Sequence, residues 1–232
     1  MGISLQGIVA IVGNYGSGKT EVAINLAVSS HRSGLDVRIA DLDLVNPYFR
    51  TREACATLEA FGIQVVLPPR EYLQADLPIL SPAIAGMIRR PNGLTLLDVG
   101  GDDAGATVLA ALGDAFAGVA VHMLQVINPL RPQTATVEGC LKIRKDIEAA
   151  AGLSISGLIG NANLIDETST RDILDGHGFL LKVAAASGLP LEFITAAQEL
   201  LPQIDVNQFS CPVLPIARQL VPPWKTAGEF GQ

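Results

Sequence analysis

Paired cysteines are missing from this chain of 232 residues: Cys55, Cys140 and Cys211 stand far apart, with no C-x-x-C unit. A zinc knuckle, a cysteine-held cluster and a redox dithiol therefore have no sequence support, and idle thiols in a reducing cytoplasm are expected. Positive charge is scarce as well, with 16 Lys and Arg against 23 Asp and Glu and a net charge of -7. Nonspecific affinity for nucleic acid, which comes from neutralising phosphates, is not expected of such a chain. No uninterrupted apolar run is long enough for a membrane span; residues 118–127, for instance, include His122 and Gln125. No cleavable leader is expected, because the N-terminal apolar run reads as a strand, and Gln6 stands where lipidation after Met1-Gly2 needs serine or threonine. Tandem repeats and long linkers are lacking too, so residues 1–232 read as one domain.

What is present starts with residues 13–20, Gly-Asn-Tyr-Gly-Ser-Gly-Lys-Thr, which fit G-x-x-x-x-G-K-[ST] at every fixed position. An apolar run at 7–12 precedes it and a helical pattern at 21–30 follows, the context that makes this a phosphate loop. Glycines let the loop's amides converge on a polyphosphate, and the next helix adds its positive end. Lys19 would reach the outer phosphates and Thr20 would offer its hydroxyl to magnesium.

Further along, the pattern alternates short β-branched runs with helices, which predicts an α/β fold: a mostly parallel sheet of seven or eight strands with helices on both faces. Polar residues follow several of the strands. Asp41 and Asp43 sit two apart, on one side of an extended chain, and can serve a single site. Residues 94–97 form an apolar strand that ends in Asp98-Val99-Gly100-Gly101, where the carboxylate would hold magnesium and the Gly101 amide would sense a terminal phosphate. Asp102 and Asp103, like residues 46–50 with the bend Asn46-Pro47, are candidate switch segments. Residues 70–81 are irregular and read as a surface excursion. His122 reads as a core histidine and Arg131 as a loop residue able to meet a phosphate or a partner. The glycines of Gly176-His177-Gly178 predict a broken helix. For the base there are two readings. Asn161 at a strand end can pair with an adenine edge, and this is preferred; alternatively Asn163 to Asp166 has the N-x-x-D spacing of guanine readers, without the usual lysine at its second position.

At these residues the chain resembles the MinD/ParA/CobQ-type (SIMIBI) nucleotide-binding family, phosphate-loop proteins that include nitrogenase iron protein, dethiobiotin synthetase and metal-centre maturation ATPases. The resemblance implies a P-loop NTPase fold, ATP and Mg2+. It places nucleotide contacts at Gly13, Asn14, Tyr15, Gly16, Ser17, Gly18, Lys19, Thr20, Glu21, Gly101 and Asn161. By the same likeness Lys19 and Asp43 carry catalysis, Asp43 positioning the attacking water, and Thr20, Asp43 and Asp98 serve the metal. Many members form homodimers across two facing nucleotides and switch protein partners with nucleotide state. One departure is Asn14, which stands where many members carry a lysine that crosses to the partner's nucleotide; Arg50 or Arg52 would be the substitute charge. Neither a membrane-binding amphipathic tail nor a DNA-binding basic surface is expected, and no paired cysteines occur that could bridge a cluster. The expected function is a soluble Mg-dependent ATPase that acts as a switch on a protein client. Two other readings stand beside it: a carboxylate-activating enzyme, and a GTP-binding switch or non-hydrolysing sensor.

Overall fold

In the computed structural model, residues 2–43, 51–67, 82–222 and 224–230 are described. The expectations placed on Asn46, Pro47, Arg50 and residues 70–81 fall outside them. Eight strands form one sheet: β1 (Gly7–Val12), β2 (Val37–Leu42), β3 (Gln64–Val66), β4 (Leu94–Val99), β5 (Val121–Ile127), β6 (Ile155–Gly160), β7 (Leu191–Ala197) and β8 (Val213–Ile216). Their order is β3-β2-β4-β1-β5-β6-β7-β8, and every pairing is parallel. Helices supply the crossovers: α1 (Lys19–Arg32), α2 (Cys55–Ala60), α3 (Pro82–Arg89), α4 (Asp102–Ala111), α5 (Gly113–Phe116), α6 (Val137–Ala151) and α7 (Thr170–Ser187).

Alternation along β1 divides the core into two layers. Val9 and Ile11 pack with Val22, Leu26 and Leu58 of α1 and α2. Ile8, Ala10 and Val12 face the other way, toward Ile84, Leu109 and Ile147 of α3, α4 and α6. A sheet covered on both faces needs strands that are apolar throughout, and β4 is buried at all six positions. The expected α/β architecture with helices on both faces is therefore the observed one.

Local signals set the helix ends. Thr136 caps α6 by accepting from the Gly139 amide, and Gly152 closes it at φ 66°. Ser169 and Asp172 form a reciprocal capping box on α7. Two expectations need correction. Residues 170–187 form one continuous helix despite Gly176-His177-Gly178. Gly176 is there for closeness rather than for a break, because a Cβ on it would lie 2.4 Å from Ala162 Cβ. His122 is exposed, not a core histidine; it stands second in β5, where the strand has only begun to enter the sheet.

Since all strands run one way, the segments after β1, β2, β4, β5 and β6 reach the same edge. The sheet order places β1 between β4 and β5, with β2, β3 and β4 on one side of this central strand and β5 to β8 on the other. Ligands of open parallel sheets bind at such switch points.

Candidate functional site

At the end of β1 the chain turns through Gly13 at φ 150°, Gly16 at φ 73° and Gly18 at φ 92°. Side chains are poorly tolerated here on two counts. The angles belong to glycine, and a Cβ at Gly13 would lie 2.5 Å from the Val126 carbonyl oxygen. Gly18 is the N-cap of α1 and offers no side-chain cap, so the first-turn amides of that helix keep their donors for another acceptor. Ser17 Oγ and Asn14 Oδ1 are buried without a hydrogen-bond partner. A cradle of uncapped amides and orphaned buried polar atoms fits a polyphosphate.

Lys19 is buried and donates to the Asn14 carbonyl oxygen at 3.1 Å. Its Nζ also lies close to Gly101, where a Cβ would be 3.4 Å away. Asp43 packs on the preceding glycine, with its Oδ1 3.0 Å from where a Gly100 Cβ would be. Consecutive glycines thus give the lysine and the carboxylate room at one point. Gly105 of α4 completes the packing, because a Cβ on it would lie 2.3 Å from the Gly100 carbonyl carbon.

Asp98 and Asp41 are cross-strand partners in the β2–β4 register, and both are fully buried. Thr51 donates to Asp98 Oδ2 at 2.7 Å, whereas Oδ1 has no partner. Arg52 holds Asp41 through Nε at 2.8 Å, and its Nη2 reaches the Asp43 carbonyl oxygen at 3.4 Å. Burial first, and then the Asp41 charge, push the Asp98 carboxyl up to about 7, against the pull of Thr51, Lys19 and Thr20. A buried carboxylate held this high, with Oδ1 unpartnered and the Thr20 hydroxyl acting on the same carboxyl, fits a site completed by a cation. Among the described residues no group of three or more His, Cys, Asp and Glu could hold a metal by itself.

On the other side of the loop, Asn161 is buried and donates from Nδ2 to the Ser17 carbonyl oxygen at 2.6 Å. Its Oδ1 accepts from Thr195 Oγ1 at 2.5 Å. Arg131 Nε donates to the Gly16 carbonyl oxygen at 3.1 Å, so this loop residue also reaches the phosphate loop. The Asn163 side chain is engaged locally, accepting from the Ile165 amide and standing 3.5 Å from the Thr168 hydroxyl, while its backbone is held by Asn128. Ile165 has φ 62°, a strained angle for a β-branched residue. Asp166 is exposed and paired with Lys225 and Arg218.

Gly13 to Thr20, Asp43, Asp98, Gly101 and Asn161 come together around one loop. Tyr15 lies on its rim, 67% exposed, with its backbone against Gly101. Glu21 sits in the first turn of α1, but its carboxylate accepts from the Gln219 and Leu220 amides at 2.7 and 2.6 Å, so it ties α1 to the segment after β8. Asp102 and Asp103, expected in a loop, open α4. Thr51, Thr195 and the Gln219–Leu220 segment carried no local signal. Each is defined by a partner dozens of residues away, as Thr51 is by Asp98.

No protein-family model matches the chain, and no curated protein matches it in sequence. Solved structures do match in fold. The cell division protein FtsY of Thermotoga maritima aligns with TM-score 0.58 at 21% identity, over 84% of this chain and 63% of that one. Chloroplast FtsY of Physcomitrella patens aligns at 0.56 and 20% identity, over 83% and 59%. The 54 kDa signal recognition particle protein of Aeropyrum pernix, in complex with GDP, aligns at 0.51 and 21% identity, over 81% and 41%. This chain spans less than two thirds of the length of each. The parallel eight-stranded sheet around a phosphate loop is thus the P-loop NTPase fold.

Proposed function

We propose that the chain is a magnesium-dependent ATPase of the MinD/ParA/CobQ type, whose nucleotide state is passed to a protein client. The observation that carries this reading is the meeting of Lys19 and Asp43 on the consecutive glycines Gly101 and Gly100, two residues beyond the buried Asp98. Lys19 would neutralise the outer phosphates. Asp43 would orient the attacking water and take its proton as the bond between the β-phosphate and the terminal phosphate breaks. Thr20 and Asp98 would hold magnesium, which supplies charge neutralisation on the phosphate oxygens. Gly101 is the N-cap of α4, and α4 packs on α6, so this helix pair is the route from a sensed phosphate to a client surface.

Adenine is supported by the Asn161 amide. Its bonds to Ser17 and Thr195 set its orientation and leave one N–H and one lone pair. An adjacent donor and acceptor match adenine N7 and its N6 amino group, whereas guanine presents two acceptors on that edge. The GDP complex of the Aeropyrum protein favours a second reading, in which guanine is bound. Asp166 would then have to leave Lys225 and Arg218.

Calorimetry with Mg2+ and each nucleotide separates the two: the adenine reading expects ATP to bind at least about tenfold more tightly, and tighter GTP binding assigns guanine. Asp43→Asn is expected to bind ATP as the parent does but to hydrolyse it at least about 100-fold more slowly. Unchanged turnover would remove Asp43 from the chemistry. Phosphate release from ATP alone supports the switch; release only with an added small carboxylic acid supports a carboxylate-activating enzyme.

A further inference from the structure

We infer that Thr51 is a positioning residue for the magnesium carboxylate, an inference that rests on the reading of Asp98 as that carboxylate. Thr51 is fully buried at the start of a single 3-10 turn, Thr51–Ala54. A buried threonine hydroxyl is usually satisfied by a nearby backbone carbonyl, as in the back-bonding of helices. Here it crosses 47 residues of sequence to donate to Asp98 Oδ2 at 2.7 Å.

The next residue does the same for the neighbouring acid. Arg52 Nε holds Asp41 Oδ2 at 2.8 Å, and Asp41 is the register partner of Asp98 across β2 and β4. Two consecutive residues therefore grip two adjacent buried carboxylates, each by one oxygen. The consequences differ. Asp41 also accepts from the Asp43 amide at 3.0 Å on its other oxygen, so both of its oxygens are used. Asp98 Oδ1 has no hydrogen-bond partner, and the other hydroxyl acting on this carboxyl is that of Thr20, its fellow magnesium group in the proposed site. A carboxylate pinned by one oxygen has its second oxygen set in space, and the free Oδ1 is the acceptor left for a metal-bound water. Groups that orient a metal-serving carboxylate are commonly worth about tenfold or more in metal affinity.

The test is nucleotide affinity of the full chain, measured by calorimetry with a non-hydrolysable ATP analogue in Mg2+ and in EDTA. The gain in affinity on adding Mg2+ is expected to fall about tenfold in Thr51→Val, with the EDTA affinity kept within about twofold. Thr51→Ser, which keeps the hydroxyl, is expected to retain the parent's gain. Thr51→Ala makes the same comparison without the second branch, should valine prevent folding. A parent-like Mg2+ gain in the valine or alanine variant would overturn the inference. So would a serine variant as impaired as valine, or an equal loss with and without Mg2+, because packing rather than the hydroxyl would then explain the effect. A parent that binds no nucleotide, or binds it equally with and without Mg2+, would instead overturn the reading of the site itself, and the role of Thr51 with it.

Discussion

Asp98 makes the cost of the site visible at the scale of one residue. Its carboxyl is pushed up to about 7, first by burial and then by Asp41, so between its ordinary value near 4 and about 7 the folded chain holds a proton that the unfolded chain has released. Stability therefore falls as pH rises through this window, and the contribution is lost above about 7. Glu21 is raised to about 7 as well, chiefly by burial, and adds to the same slope in the parent. Asp98→Asn, compared with the parent without ligand, isolates the first term. Its denaturation midpoints are expected to lose part of the decline between pH 4 and 7, and at pH 8 the variant is expected to be more stable by at most about 4 kcal/mol. Equal slopes in both proteins would show that Asp98 is not held protonated. The phosphate loop was legible at this scale because its pattern is contiguous. Asp98 was legible because it follows an apolar strand. Thr51 and Thr195 were not, since nothing near either residue in the chain reveals what its hydroxyl touches.

Among the elements, α7 shows how a glycine can be misread. Local propensity ranks glycine as a helix breaker, yet Gly176 lies in an unbroken helix because Ala162, beside Asn161, occupies the space a side chain would need. Gly176→Ala should improve helix propensity and still destabilise the protein, by about 1–3 kcal/mol, through overpacking against the segment that carries Asn161. Thermal melting reads the loss. Adding Ala162→Gly removes the opposing methyl and is expected to recover most of it. A Gly176→Ala variant as stable as the parent would mean that the segment yields without cost. Capping residues, by contrast, could be read directly: Thr136 and Ser169 satisfy amides within their own first turn, so their meaning is local. The start of α4 at Asp102 was harder, because Gly101 and the two aspartates spell a turn as readily as a helix start.

For the molecule as a whole, a bound nucleotide should behave as a fold-stabilising ligand. At a free concentration about 100 times Kd it adds about 2.7 kcal/mol, so Mg2+ with ATP is expected to raise the melting temperature by several degrees, and Lys19→Ala should abolish the shift. A shift that persists in that variant would place binding away from the loop. Of the residues at the positions that would supply the crossing charge of the face-to-face dimer implied by the resemblance, Arg50 falls outside the described residues and the other two are engaged elsewhere. Asn14 turns its amide back to the Tyr15 carbonyl oxygen at 3.1 Å, and Arg52 is committed to Asp41. Light scattering is therefore expected to give the same mass with and without Mg2+ and ATP. A nucleotide-dependent doubling would restore the dimer implied by the resemblance.

By itself the sequence determined the alternation of strands and helices, the phosphate loop and its flanking carboxylates. These are written in short-range periodicity and spacing, which act through backbone geometry a few residues at a time. Tertiary structure alone decided the order of the strands, and with it the register that sets Asp41 beside Asp98. It also decided which side chains close the site: Thr51 on Asp98, Thr195 on Asn161, and Gln219 and Leu220 on Glu21. Such contacts join residues from about 30 to about 200 positions apart, and they exist only once a sheet has brought distant strand ends to one edge.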